Sequence, residues 1–487
     1  MTSGQSRTDV VVVGGGLAGI TAAADLAEAG LSVTVLEARP WLGGATCSFA
    51  RRGLTIDNGQ HAFLRCCRAY QDLLVKLGVA GSADVQDRLQ LSVLGALAEG
   101  LDGPLTLRRS ILPAPLHLAG ALAGYRLLPK AERLKAAAGM AAVRFAGFGS
   151  PARDDMSLAE WLDARGQGEN ARRLFWDLLS TAALGLEADQ ADLWLALSAI
   201  RTAVLSKRGN ADIGVPSVPL SRLHSGPAAA LLSRLGARVL LGVRAAAIQL
   251  SYRGGYDIWL DPAAPGGQGR VLAGHPNALH AAGVVLAVPA WEAAALAPTE
   301  LSGEAGRWAR LEAMPVLSLH VIYGSRVTAL PYAAVVDSPV RWVIDKTVPS
   351  GLHTGQYLAA SVPAADSYVD LPASQLRIEL LPELGRLFPA ATDAEVQDFF
   401  ITRERRARIR QVPGSQRLRA SQPVGLPALA LAGAWTDTGW PDTMEGAVRS
   451  GHAAALKVLS ELTAGRPVTS AAAIAPDRSV ASMARAI

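Results

Sequence analysis

Residues 9–37 read DVVVVGGGLAGITAAADLAEAGLSVTVLE, and this stretch decides the fold. Asp9 to Val13 is a short β-branched run of the kind that fills a parallel strand buried on both faces. Gly14-Gly15-Gly16 interrupts it, and Leu17 to Ala29 then carries a helical pattern closed by Gly30. Leu31 to Leu36 is a second strand, so the segment predicts one right-handed βαβ unit. Its turn has the spacing Gly14-x-Gly16-x-x-Gly19. Gly14 permits the tight turn, Gly16 lets backbone approach a pyrophosphate, and Gly19 lets the helix pack closely on the sheet. The helix start at Leu17 and Ala18 offers its N-terminus to the phosphates. Glu37 ends the second strand 18 residues past Gly19, where a carboxylate can bond ribose hydroxyls. The pattern specifies a dinucleotide and leaves FAD and NAD both open.

Strand patterns return far downstream. Arg238 to Leu241 follows Gly236, Tyr256 to Leu260 alternates, and Gly283 to Val288 is another buried run. Ala428 to Leu431 runs into Gly433, and Thr443 to Leu462 reads as a closing helix. The expectation is an α/β chain whose Rossmann-like domain is assembled from residues 1–68, 225–298 and 424–462. An α+β substrate domain would fill residues 69–224 and 299–423, with sheet strands at Leu317 to Tyr323, Ala333 to Ile344 and Gln356 to Val362. From residue 463 to 487 Ala, Ser and Pro dominate without apolar periodicity, which predicts a disordered tail.

At 487 residues, half of them apolar, the chain can bury two sizeable cores. Lys and Arg exceed Asp and Glu by 47 to 42, and only 5% of residues are aromatic, so nucleic acid is not an expected partner. Cys47, Cys66 and Cys67 make neither a disulfide framework nor a metal site, which suits a reducing, cytoplasmic setting. Met1 to Thr8 is polar and lacks a signal-peptide pattern. No run reaches the ~20 uninterrupted apolar residues of a membrane span. Leu112 to Phe148, however, is rich in Leu and Ala and interleaves Arg126, Lys130, Arg133, Lys135 and Arg144. Helices at about 111–148 would face a membrane interface, making the protein peripheral; the plain alternative is an amphipathic pair covering a core. Zinc spacing, a P-loop and a Gly-x-Ser-x-Gly elbow are all missing.

Glu37-Ala38-Arg39-Pro40-Trp41-Leu42-Gly43-Gly44, followed by Ala45, decides for FAD. It resembles the second flavin fingerprint of the amine oxidase and phytoene desaturase superfamily. The run from Leu431-Ala432-Gly433 through Thr443-Met444-Glu445-Gly446-Ala447 to Gly451 is similar to the closing FAD motif of the same superfamily. The resemblance implies cofactor contacts at Gly433, Thr443, Met444, Glu445 and Ala447, and at Val243 within the middle segment Gly236 to Leu250. Trp440 would wall the flavin face. The superfamily usually places Asp after the glycine of the closing motif, but this chain has Ala434, so Asp437 or Thr436 would have to substitute.

Asp57-Asn58-Gly59-Gln60-His61 and Val215 to Leu223 are narrower signals and resemble the bacterial hydroxysqualene dehydroxylases of squalene and hopanoid synthesis. That resemblance implies a C30 isoprenoid substrate, hydride delivery from reduced flavin, and upstream synthase-like enzymes as partners. Asn58 and Gly59 would contact flavin, and Gln60, His61 and Trp440 substrate. His61 is the candidate proton donor or orienting group and Asp437 a weaker one. A phytoene-type desaturase would use the same tunnel with electrons reversed, and a prenyl-binding escort protein would share the fold without FAD. The basic run Arg403 to Arg410 departs from the family and reads as a solvated strand edge.

Overall fold

The computed structural model describes residues 8–95, 104–147, 155–261 and 278–464. Residues 1–7, Phe148 and the tail from 465 onward, on which parts of the expectations above fall, lie outside the described residues.

The opening βαβ unit forms as its sequence dictates. Strand Thr8–Val13, helix Leu17–Glu28 and strand Val33–Glu37 follow in order, the two strands pairing in parallel. Val10, Val11 and Val12 are fully buried, each stabilising by about 2 kcal/mol. Gly30 follows the helix with a left-handed φ of 85°, which is why the chain can turn back there.

Among the described residues this first sheet has seven strands. Arg238–Leu241, Val33–Glu37, Thr8–Val13 and Ala278–Leu286 run parallel in that spatial order. The long strand Ala278–Leu286 divides its pairing. Its start pairs antiparallel with Tyr256–Leu260, which pairs with Ala245–Leu250, while its end pairs in parallel with Leu429–Leu431. Distant segments therefore share one sheet. The closing helix Met444–Thr463 packs on the opening helix so closely that a Cβ on Gly451 would lie 2.4 Å from the Ala18 carbonyl oxygen.

The second sheet also has seven described strands, in the order Val396–Ile409, Ala313–Tyr323, Gln356–Pro363, Trp342–Asp345, Tyr332–Val335, Gln90–Leu94 and Leu105–Arg108. The single strand expected over Ala333 to Ile344 is a hairpin, because Asp337-Ser338-Pro339 turns the chain, with Asp337 at φ 56°. Strands Gln90–Leu94 and Leu105–Arg108 are recruited from the first half of the chain.

The segment at 111–147 folds as helices Ala119–Ala123 and Lys130–Phe145. Gly139 lets the longer helix settle on Trp176, where an added Cβ would come within 2.6 Å of the indole. Among the described residues no helix is long and apolar enough to cross a membrane.

Candidate active site

The carboxyl ends of the parallel strands open onto one cavity of about 1410 Å³. That position is where open α/β sheets bind ligands. Gly14 takes φ 107°, and a Cβ there would lie 2.3 Å from the Ala287 carbonyl oxygen. A Cβ on Gly19 would lie 1.9 Å from the Gly14 oxygen, so Gly19 serves packing beneath the cavity wall. Gly16 differs: an added Cβ would meet nothing but the Gly44 Cα, at 3.8 Å. Its missing side chain leaves open space beside the start of helix Leu17–Glu28. That helix has no side-chain cap and no acidic residue in its first turn, so its N–H groups are free for an anion.

The second fingerprint lies against the first. Gly43 N–H donates to the Gly15 carbonyl at 2.8 Å, and Gly16 and Gly43 form a parallel bridge. Glu37 is buried, its Oε2 accepting from Gly15 N–H and its Oε1 from Arg39 N–H, both at 2.7 Å. Each carboxylate oxygen keeps a lone pair for a ribose hydroxyl. Leu17, Ala18, Ala38, Arg39, Ala45, Val243, Asn58 and Gly59 also line this end. The open glycine cradle, free helix terminus and buried acid fit a dinucleotide such as FAD.

The closing motif contributes Gly433, Ala434, Thr443, Met444 and Ala447 to the cavity. Three expectations from this stretch are corrected. Glu445 is buried behind the wall, where its carboxylate accepts from Tyr70 N–H at 2.8 Å and from Arg449; it caps the helix Arg68–Lys76 rather than touching the cavity. Trp440 lies beneath the Arg449 guanidinium, 4.8 Å from its ring centre, and Trp435 faces the cavity in its place. Asp437 is exposed, with Oδ1 accepting from Gly439 N–H within its own turn, and neither it nor Thr436 lines the cavity. Neither of the two expected substitutes therefore supplies the carboxylate that Ala434 lacks. Instead, buried Arg419 fixes the loop by donating to the carbonyls of Ala434, Trp435, Thr436 and Trp440.

In the Asp57–His61 loop, Asp57 turns away from the cavity. Its carboxylate accepts from Ser48, Leu220 N–H and Lys346 Nζ, the last a fully buried ion pair at 3.0 Å that ties the loop to the second sheet. Asn58 donates to the Ala45 carbonyl and to Glu404. Behind it, buried His320 is held between Tyr357 and Thr402, and desolvation pushes its pKa down to about 3. Gln60 and His61 line the cavity, and the Gln60 amide has no hydrogen-bond partner among the described residues at either atom.

His61 Nδ1 lies 3.2 Å from the Gly59 carbonyl oxygen. A carbonyl only accepts, so Nδ1 carries the hydrogen and neutral His61 presents an Nε2 lone pair. Burial holds the imidazole below its ordinary pKa, outweighing Asp57 and Glu404. This neutral tautomer suits the orienting role expected of His61.

Beyond this polar end the cavity continues between the helical layers as a tunnel of Leu89, Leu91, Leu118, Leu122, Met140, Phe175, Leu178 and Leu205. Leu116 and Phe145 line it while being 56% and 81% exposed, so they mark its mouth; Leu134 is exposed about three turns earlier on the helix that ends at Phe145. The whole volume exceeds the roughly 300–1,000 Å³ of single-ligand pockets. A cofactor and a long apolar molecule fit it together.

The basic run is corrected in part. Val396–Ile409 is an edge strand, but Glu404, Arg406 and Arg408 line the cavity. Strand alternation around Ala407 was the one sequence signal for it.

The sequence profile described as flavin containing amine oxidoreductase matches residues 17–459. A hydroxysqualene dehydroxylase from Rhodopseudomonas palustris is 28% identical over 468 residues, covering 93% of this chain and 98% of its own. A 15-cis-phytoene desaturase from Glycine max is 25% identical over 481 residues, covering 94% and 81%. Among solved structures, a cyclohexylamine oxidase from Brevibacterium oxydans superposes with TM-score 0.68 at 20% identity, over 94% of this chain and 99% of that one.

Proposed function

Because this chain belongs to the flavin containing amine oxidoreductases and is an FAD-dependent oxidoreductase, we propose that it reductively dehydroxylates a C30 isoprenoid alcohol, hydroxysqualene, to squalene. The observation that carries this reading is the single cavity in which a dinucleotide cradle opens directly into a leucine-walled tunnel. Similarity to the hydroxysqualene dehydroxylases over nearly the whole chain supports the substrate. When bound in its reduced form, FAD supplies the hydride that replaces the hydroxyl.

The protein's own part is to hold, shield and orient. Gly14, Gly16, Glu37, Gly43 and Gly44 would hold the cofactor's diphosphate and ribose, and Thr443, Met444 and Ala447 its ring. The tunnel excludes water from a carbon losing its oxygen. Gln60 and His61 contact the substrate beside the flavin, His61 as acceptor.

The same reading places the protein on a membrane surface, as a peripheral cytoplasmic enzyme fed by an upstream synthase-like enzyme. Leu116 and Phe145 are exposed where they line the cavity, Ile111 and Leu134 are exposed elsewhere on the same segment, and Arg126, Lys130, Arg133 and Lys135 follow it. Apolar burial and cation–headgroup attraction would act together there. Anaerobic incubation of reduced, FAD-loaded protein with hydroxysqualene, then analysis of the extract, tests the reaction. Squalene supports it, whereas intact alcohol overturns it, as does a more unsaturated polyene formed when the oxidised protein is given a polyprene, the outcome for a phytoene-type desaturase.

A further inference from the structure

Arg408 is a buried guanidinium without an acid. Its Nη2 donates to the carbonyls of Asp442 at 2.6 Å and Ala183 at 3.3 Å. Its Nε is sealed without a partner, and no carboxylate among the described residues pairs with it. Among the described residues its Nη1 makes no hydrogen bond, and it occupies the space beside Gly185, where an added Cβ would lie 3.1 Å from it. Burial lowers its pKa, opposed by Asp442. Asp442 is held just as firmly on one side. Its N–H donates to Gln411 and its Oδ2 accepts from Ile409 N–H, both at 2.7 Å, while Oδ1 has no hydrogen-bond partner among the described residues.

Both side chains line the cavity at a particular place. Asp442 directly precedes Thr443 and Met444, where the closing helix begins. Arg408 abuts Ala183 and Gly185, at the end of helix Asp177–Leu184, whose Leu178, Leu179 and Ala182 wall the tunnel. The pair therefore stands where the dinucleotide end meets the apolar end. A long apolar alcohol would bring its one polar atom to that junction, where a cationic donor and a carboxyl group that both line the cavity complement a hydroxyl.

Resting on the dehydroxylation reading, we infer that Arg408 and Asp442 form the subsite of the departing hydroxyl, with Asp442 as the catalytic proton donor. The alcohol oxygen accepts from Arg408 Nη1 and from protonated Asp442 Oδ1. As the C–O bond breaks its electron pair stays on oxygen, the Oδ1 proton follows, and water leaves. The carbon gains the hydride that reduced FAD supplies, and the new Asp442 carboxylate is stabilised by the Arg408 charge. Burial raises the Asp442 carboxyl above its ordinary range, opposed by Arg408, the Ile409 N–H and Arg419.

The test uses FAD-loaded protein and two measurements. Oxidised enzyme is titrated with hydroxysqualene and with squalene by perturbation of the flavin spectrum, and reduced enzyme is assayed for squalene. Wild type should prefer the alcohol by about 10-fold or more, the effect of a hydrogen bond to a charged group. Arg408→Met should abolish the preference and Arg408→Lys restore part of it. Asp442→Asn keeps an acceptor for Ile409 N–H, so it should hold FAD and alcohol normally while kcat falls about 10²–10⁴-fold. An Asp442→Asn enzyme with wild-type kcat, or an Arg408→Met enzyme that keeps the preference, overturns the subsite even if wild type makes squalene. A wild type that prefers the alcohol through Arg408 yet yields no squalene would instead sink the dehydroxylation reading and leave the hydroxyl site standing.

Discussion

Gly16→Val should separate cofactor binding from folding. Gly16 has φ −75° and ψ 179°, an extended conformation open to any residue. An added Cβ would meet only the Gly44 Cα, at 3.8 Å. Folding should therefore suffer only the poorer helix cap, about 1 kcal/mol, which in a chain of this size shifts Tm by about 2 °C or less. The valine methyls would fill the space from which the free N–H groups of helix Leu17–Glu28 reach a diphosphate. Losing two such charge-assisted hydrogen bonds, at about 1.5–3 kcal/mol each, weakens FAD by about 10²–10⁴-fold. The assay is flavin content after gel filtration, alongside thermal unfolding of flavin-free protein. Gly19→Ala is the contrast: its Cβ would overlap the Gly14 carbonyl oxygen at 1.9 Å, so that variant should lose fold and flavin together. A Gly16→Val protein carrying a full complement of FAD with an unaltered spectrum would refute the placement of the phosphates.

His61→Ala should retain FAD and lose no more than about 10-fold in kcat, the loss of one neutral hydrogen bond; a drop of 10³ with the alkaline limb of the pH profile disappearing would restore His61 as proton donor. Leu134→Glu with Phe145→Glu should lower flotation with anionic liposomes by 10²-fold or more, since burial of each side chain is worth about 1.5–3 kcal/mol; unchanged flotation would remove these residues from any membrane contact. Asp177 is buried, and desolvation raises its carboxyl from 3.8 to about 6. The folded state then binds the proton more tightly than the unfolded state, so stability should fall as pH rises from about 4 to about 6, by about 3 kcal/mol. Asp177→Asn, which can still accept from Ala188 N–H, should flatten that slope in thermal melts, and an unchanged slope would contradict the assignment.

What was legible in the sequence was what local rules govern. The βαβ opening, the two glycine fingerprints, Glu37 and the closing helix announce themselves through spacing, and the structure brings them together on one cavity. What was not legible depends on which way a side chain points after tertiary packing. Trp435 and Trp440 are indistinguishable in the motif, yet one faces the cavity and the other stacks under Arg449. Glu445 looked like a cofactor ligand because it sits inside the motif, while its carboxylate is consumed by a distant helix start. The run Arg403 to Arg410 looked solvated because a strand edge and a cavity wall have the same alternation. Only the partners of Arg408, from Ala183 to Asp442, reveal the difference. The tautomer of His61 likewise rests on one carbonyl that no motif specifies.

The central claim is that electrons flow from flavin to a C30 alcohol in this cavity, and anaerobic single-turnover mixing tests it most directly. Reduced, FAD-loaded enzyme is mixed with hydroxysqualene while the visible flavin band is followed and squalene is quantified in quenched samples. The account predicts that the oxidised band returns at the same rate as squalene appears, one squalene per flavin. Reduced flavin that persists in the presence of hydroxysqualene, together with oxidised enzyme that is bleached by a saturated-bond polyprene such as phytoene, would contradict it.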